Sequence, residues 1–316
     1  MKAAVLQKPG EFVIKEMDVP SIKPNELLVK VKACGLCTSE LDMWEGKAIG
    51  LGFPRFIGHE VAGIVENVGA DVTDFKIGDH VAIFAEGKGY AEYIAIPENF
   101  SIKISKDTNF QHALGEPIAC SVNGVRKTSL DIHESVCIIG CGFMGLIMLQ
   151  VFKLSGAGTL IAVDTRDSIL KIARNLGATH TYNPLNENVI DKVKELTGGK
   201  GVDIGVEAAG NQQAIDLTTQ LVRMEGKLEI FGFHQGEPRK IDWGYWNWMA
   251  FQIINGHTRN PDIYVDGMRI GLQLLEANKL DMAALVTHTF KLADINDGFK
   301  KASEKSDSFI KGVITF

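Results

Sequence analysis

The segment Val136-Cys137-Ile138-Ile139-Gly140-Cys141-Gly142-Phe143-Met144-Gly145 constrains this 316-residue chain more than any other. A short branched run leads into G-x-G-x-x-G, and an apolar stretch with helical spacing, 146–154, follows. In that context Gly140 permits a tight turn, Gly142 lets the backbone approach a pyrophosphate, and Gly145 lets the helix pack close on the strand. The helix N-terminus then turns its N–H groups and positive dipole end toward the phosphates. A second strand-like run, 160–163, ends at Asp164, whose carboxylate is placed to hydrogen-bond the adenosine ribose hydroxyls. That carboxylate favours NAD over NADP, because a 2′-phosphate would sit against it; Arg166 is the residue that would serve NADP. Gly140, Gly142, Phe143, Met144, Gly145, Asp164 and Arg166 are therefore the candidate cofactor contacts.

After about residue 121 strand-like and helical text alternate. Runs 136–139, 160–163, 204–207 and 228–231 are short and rich in branched residues, while 146–154, 169–176, 189–196 and 214–222 have helical spacing. This alternation predicts an α/β domain, a doubly wound parallel sheet covered by helices, with 251–254 as its sixth strand. Past Pro261 the text reads as helix (265–280), strand (286–290) and helix (295–302). The first third differs: apolar runs at 27–31, 61–68, 80–85 and 90–96 are punctuated by Gly69, Gly78-Asp79 and Gly87, the pattern of an irregular β-rich domain. Length at about 150 residues per domain gives two domains. The uncharged run 135–152 approaches a membrane span in length, but Gly140, Gly142, Gly145 and Gln150 interrupt it, and it reads as strand, turn and helix.

The net charge is −6 and no Lys/Arg run stands out, so neither a nucleic acid nor a membrane is an expected partner. The opening Met1–Leu6 is too short an apolar run for a signal-peptide core. Five cysteines, an odd number, fit reduced thiols in the cytoplasm better than a disulfide framework.

Cys37, His59-Glu60 and Glu116 supply a thiolate, an imidazole and carboxylates, a donor set that suits zinc. A catalytic zinc needs three protein ligands and one open position. Cys37 and His59 are the obvious pair, and the third ligand is Glu60 or Glu116. Cys34 and Cys37 also form a CxxC, but no βαβ pattern surrounds them, so Cys34 reads as a packed thiol rather than half of a redox pair.

Together these residues resemble the zinc-dependent medium-chain dehydrogenase/reductase family, the alcohol dehydrogenase superfamily. The resemblance runs through the opening Met1-Lys2-Ala3-Ala4-Val5, the stretch from Gly35 to Glu40, Gly58-His59-Glu60, Phe75-Lys76-Ile77-Gly78-Asp79, Gly89-Tyr90-Ala91-Glu92-Tyr93, Glu116-Pro117-Ile118-Ala119-Cys120, the glycine fingerprint and the ending Ile310-Lys311-Gly312-Val313-Ile314. Glu116-Pro117 is most similar to the polyol (sorbitol-type) and threonine dehydrogenase branch. The resemblance implies a GroES-like catalytic domain made of 1–121 and 260–316, with a Rossmann NAD-binding domain, 122–259, inserted. It implies Cys37, His59 and Glu60 or Glu116 as zinc ligands, Ser39 as the hydroxyl that relays the alcohol proton, and Lys311 as the basic residue that reaches the cofactor pyrophosphate. Cys37, Ser39, His59 and Glu60 form the implied catalytic set.

Two departures from the family pattern stand out. Its structural-zinc lobe has four closely spaced cysteines; the corresponding interval here, 80–88, has none, which implies one catalytic zinc per chain and no structural zinc. Asp42 stands where simple alcohol dehydrogenases carry a proton-relaying His. The expected reaction is hydride transfer between a secondary alcohol, such as a polyol or sugar alcohol, and NAD. A zinc-independent quinone- or enoyl-type reductase and a non-catalytic NAD-binding protein are the alternatives. The run 243–248 holds three tryptophans, which either pack around the last sheet strand or stack on a sugar ring together with Trp44. A homodimer or homotetramer is the expected assembly.

Overall fold

The computed structural model describes residues 1–47 and 52–316. They form two compact units, residues 1–119 with 261–316, and residues 120–260. In the first unit β1 (Lys2–Lys8) and β2 (Glu11–Glu16) pair antiparallel. Then come β3 (Glu26–Gly35), the short helix α1 (Thr38–Trp44), β4 (Glu60–Val68), β5 (His80–Phe84), β6 (Tyr93–Pro97), β7 (Ser101–Ile104) and the first residues of α2 (Gly115–Lys127), the rest of which falls in the second unit. The second unit contains β8 (Ser135–Ile139), α3 (Phe143–Leu154), β9 (Thr159–Val163), α4 (Asp167–Leu176), β10 (His180–Tyr182), α5 (Val189–Leu196), β11 (Val202–Glu207), α6 (Gln212–Leu221), β12 (Val222–Ile230), α7 (Trp243–Trp248) and β13 (Gln252–Asn255). The chain returns to the first unit as α8 (Pro261–Glu276), β14 (Val286–Lys291), α9 (Ile295–Glu304) and β15 (Lys311–Thr315).

The first unit is built on a sheet in the order β14-β15-β3-β4-β5-β7, with β6 also paired to β3. Its longest strand, β3, alternates Val29, Val31 and Ala33 inward with Lys30 and Lys32 outward, the period of a half-buried strand. The C-terminal strand β15 lies antiparallel to β3, with Val313 opposite Gly35 and Ile314 opposite Cys34. Phe12, Tyr90 and Phe299 meet at centroid distances of 4.7–6.1 Å in the core of this unit. Such aromatic pairs contribute roughly 0.5–1.5 kcal/mol each beyond their buried area, and here they fix where the Tyr90 hydroxyl points. Trp44, partly buried, packs on Phe299 against the same core.

The second unit holds a six-stranded parallel sheet in the order β10-β9-β8-β11-β12-β13. β8 and β9 are buried along nearly their whole length, as continuous branched runs in a covered parallel sheet should be. α4 buries Ile169, Leu170, Ala173 and Leu176, one stripe of a 3.6-residue period, and stops at Gly177 in the left-handed conformation. The tryptophan run divides: Trp246 is buried against Phe251, while Trp243 and Trp248 are 66% and 75% exposed. The uncharged stretch 135–152 is β8, the glycine turn and α3, and no helix among the described residues is long and apolar enough to cross a membrane.

Candidate functional site

The metal-ligand group starts where β3 gives way to α1. Cys37 is the N-cap residue of α1, and Ser39 donates its hydroxyl to the Cys37 sulfur at 3.3 Å. One turn into the helix, buried Glu40 turns its carboxylate back toward the loop before β4. Its Oε1 accepts from Gly58 N at 2.6 Å and meets His59 Nδ1 at 2.7 Å, and its Oε2 accepts from the Tyr90 hydroxyl at 2.5 Å. Gly58 has φ +102°, and a Cβ there would lie 2.6 Å from Tyr90 N, so only glycine fits this crossing. A carboxylate only accepts, so it keeps the proton on Nδ1 and leaves Nε2 with its lone pair, the form a metal requires.

Glu60 opens β4 and is buried. Its carboxylate occupies the space where a Gly35 side chain would begin: a Cβ there would lie 1.9 Å from Oε2. Lys311 donates its ammonium to Glu60 Oε1 at 2.7 Å and to the Leu36 carbonyl at 2.8 Å. Glu60 Oε2 lies 2.6 Å from the same nitrogen but outside hydrogen-bond alignment, and it has no other hydrogen-bond partner. The pairing of β15 with β3 brings Lys311 here, and a buried ammonium needs a carboxylate beside it. Lys311 is only 4% exposed, and its ammonium is held by Glu60 and the Leu36 carbonyl.

One donor atom each from Cys37, His59 and Glu60 lies within 4.8 Å of the other two, the one group of three or more such side chains found among the described residues. Thiolate, imidazole and carboxylate at that spacing fit zinc, and the imidazole is already oriented. Glu116, in the first turn of α2, accepts the Tyr264 hydroxyl at 2.7 Å. Charges in this cluster shift one another. Burial would lower the His59 pKa, but the Glu40 carboxylate and the Cys37 sulfur outweigh it and hold it well above the ordinary value. Burial raises the Glu60 carboxyl, with Lys311 opposing and Glu116 adding to the rise. Cys34 is fully buried, and burial pushes its thiol far up; it packs and is no redox partner for Cys37. Asp42, further along α1, is half-buried, and that burial raises its carboxyl against the pull of Lys47.

The dinucleotide turn is built from backbone. Gly140 has φ +94°, and a Cβ there would come within 2.7 Å of Ala209 N. A Cβ on Gly145 would come within 2.2 Å of the Gly140 carbonyl oxygen, whereas one on Gly142 would meet nothing within 4 Å. So the turn is tight, the helix is close, and the space over Gly142 is clear for a phosphate. Gly142 caps α3 without a side-chain hydrogen bond, and Phe143 and Met144 form the first turn. Asp164 follows β9, and its Oδ2 accepts from Cys141 N at 3.0 Å within the same turn. Its Oδ1 accepts from Arg166 N at 3.0 Å and Arg166 Nε at 3.3 Å, so the guanidinium is paired with the carboxylate. At the end of the unit the His257 ring stacks on Phe231, with ring centroids 5.3 Å apart.

Sequence reasoning named Cys37, Ser39, His59 and Glu60, and the structure gathers them. It passed over Glu40 and Tyr90 as functional residues, although both lie in segments that carry the family resemblance. The only local signal for Glu40 is an acidic residue in the first turn after a candidate ligand.

Comparison with known proteins agrees with this geometry. Residues 23–106 match the alcohol dehydrogenase GroES-like domain, and residues 144–255 match the zinc-binding dehydrogenase domain. The chain is 29% identical to sorbitol dehydrogenase of Bacillus subtilis over 99% of its length and 97% of that protein. It is 29% identical to L-threonine 3-dehydrogenase of Bacillus velezensis over 94% of each. The crystal structure of 2R,3R-butanediol dehydrogenase from Bacillus subtilis superposes with a TM-score of 0.88 at 25% identity, covering 100% of this chain and 99% of that one. The chain belongs to the zinc-type medium-chain dehydrogenase family. It is an oxidoreductase of the zinc-binding dehydrogenase type.

Proposed function

We propose that this protein is an NAD-dependent polyol dehydrogenase with one zinc ion per chain, held by Cys37, His59 and Glu60. The observation that carries this reading is the three-donor group within 4.8 Å whose imidazole is fixed by Glu40. When bound there, zinc supplies Lewis acidity that makes an alcohol oxygen easier to deprotonate. NAD supplies the hydride acceptor. The chain's own residues do the rest. Ser39 relays the substrate's hydroxyl proton, accepting it on its oxygen as its own hydroxyl proton passes on to solvent; Glu40 holds the His59 ring, and Lys311 balances the Glu60 charge so that the site carries one less negative charge. Glu116, anchored by Tyr264, accepts from a second substrate hydroxyl rather than serving as a ligand.

Polyols are favoured because the relatives are named for sorbitol, butanediol and threonine, each of which bears a polar group beside its carbinol carbon. NAD is favoured over NADP because Asp164 stands where a 2′-phosphate would have to sit, and Arg166 is already paired with it. The interval 80–88 contains no cysteine, which supports the absence of a structural zinc. The edge strand β13, with Ile253 48% exposed, and the exposed Trp243 and Trp248 support a homodimer or homotetramer. Five free thiols suit the cytoplasm.

A panel of polyols, sugar alcohols, amino alcohols and simple alcohols, assayed with NAD and NADP, tests the assignment. Vicinal polyols with NAD should give the highest kcat/KM. Preference for a simple primary alcohol, or for NADP, would refute it.

A further inference from the structure

Next to the glycine turn the second unit carries a hydrogen-bonded chain that the reaction as described does not use. Glu207, the last residue of β11, is fully buried. Its Oε1 accepts from Ala209 N at 2.8 Å and Gly210 N at 2.6 Å, and its Oε2 meets His234 Nε2 at 2.7 Å. Arg239 Nε donates to His234 Nδ1 at 3.2 Å. The rest of the guanidinium donates to the carbonyls of Gly210, Gln235 and Glu237 at 2.8–3.1 Å.

The chemistry of the partners makes this chain directional. The carboxylate only accepts, so His234 Nε2 carries the proton. The guanidinium only donates, so His234 Nδ1 is the acceptor. One neutral tautomer satisfies both ends. The chain ties two loops together: the turn 208–210 after β11 and the loop 231–239 after β12. They meet backbone on backbone, since a Cβ on Gly232 would lie 2.4 Å from Gly210 N and 2.5 Å from Glu207 Oε2. The turn 208–210 also abuts the cofactor turn. Ala208 N donates to the Ile139 carbonyl at 2.8 Å, and Ala209 N lies where a Gly140 side chain would begin. β8 and β11 are the neighbours at which the strand order reverses, the crevice where dinucleotides bind in such sheets.

We propose that Glu207, His234 and Arg239 are positioning residues for the dinucleotide: they hold the turn 208–210 against the turn 140–145 and so set cofactor affinity. This rests on the reading of the second unit as an NAD-binding unit. None of the three residues touches the reacting atoms, so their loss acts on cofactor binding before it acts on chemistry.

The test is NADH binding, followed by fluorescence titration of the zinc-loaded full chain, in variants whose folding is checked by circular dichroism. His234→Leu removes both the donor and the acceptor. Its NADH Kd should rise about tenfold, with the KM for NAD rising more than kcat falls. His234→Gln offers an amide N–H toward Glu207 and an amide oxygen toward Arg239, so it should recover to within about threefold of wild type. Arg239→Lys, on the surface loop, keeps the charge but loses the fork, and it should raise the Kd about fivefold even if His234→Leu does not fold. Folded His234→Leu or Arg239→Lys protein with an unchanged Kd would overturn the positioning role while leaving the cofactor reading intact. Wild-type protein that binds neither NADH nor NADPH would overturn both.

Discussion

In the first unit the candidate ligands Cys37, His59 and Glu60 are steadied by Glu40 and Tyr90 and balanced by Lys311 from the far end of the chain. In the second unit the glycine turn is a single continuous stretch, residues 140–145, with Asp164 closing it. The first is made of polar and charged side chains, partly or fully buried, each held by a partner. The second is made of backbone, and its glycines keep side chains out of the way. The second unit also contains a counterexample to the pairing rule. Glu229 on β12 is fully buried, neither carboxyl oxygen has a hydrogen-bond partner, and Gly124 and Gly256 crowd it. Its row on the sheet is otherwise apolar, with Val206 and Ile254 on either side. Burial pushes its pKa up to about 8, with only Lys127 pulling it down. One buried carboxyl is therefore paired with an ammonium, and the other has no partner and keeps its proton up to about pH 8.

That contrast is open to direct attack. Lys311→Met leaves Glu60 buried without its counter-charge. In metal-free protein, urea unfolding should show a loss of about 3–5 kcal/mol, the cost of breaking a buried pair from one side. A loss below about 1 kcal/mol would mean that the pair is not holding the site.

Glu229 should behave in the opposite way. Its folded pKa is raised above the unfolded value, so the native state keeps a proton that the unfolded state has released. From pH 4.5 to about 8 stability should fall with rising pH by about 1.4 kcal/mol per unit from this group alone. Glu229→Gln should remove that slope and leave the protein more stable than wild type at pH 7.5. Parallel stability–pH curves for the two proteins would show that Glu229 is ionised in the fold.

The smallest expected effect is at Glu40. Glu40→Gln keeps the shape but no longer demands a proton on His59 Nδ1, and zinc affinity, measured by chelator competition, should drop about 10- to 100-fold. Unchanged affinity would make Glu40 a packing residue.

The two regions also differ in how far the sequence discloses them. The cofactor turn is legible because strand, glycines and helix are contiguous and each glycine has a local reason. Cys37 and His59 are legible by residue type. Glu40 is not, because its role depends on Gly58 and Tyr90 folding back over α1. The Lys311–Glu60 pair is not legible, because nothing local to 310–314 says that β15 pairs with β3 and delivers the ammonium to Glu60. The Glu207–His234–Arg239 chain is hidden for the same reason: two loops 20 or more residues apart meet only in the folded unit. Glu229 passes unnoticed in the strand-like run 228–231, since a single acidic residue in a strand reads as its solvent face.

Zinc content per chain, measured alongside NADH formation from a polyol substrate in wild type and Cys37→Ala, tests the central claim most directly. About one zinc per wild-type chain, with both metal and NADH formation lost in the variant, is the predicted result. Full NADH formation by a metal-free Cys37→Ala protein would contradict it.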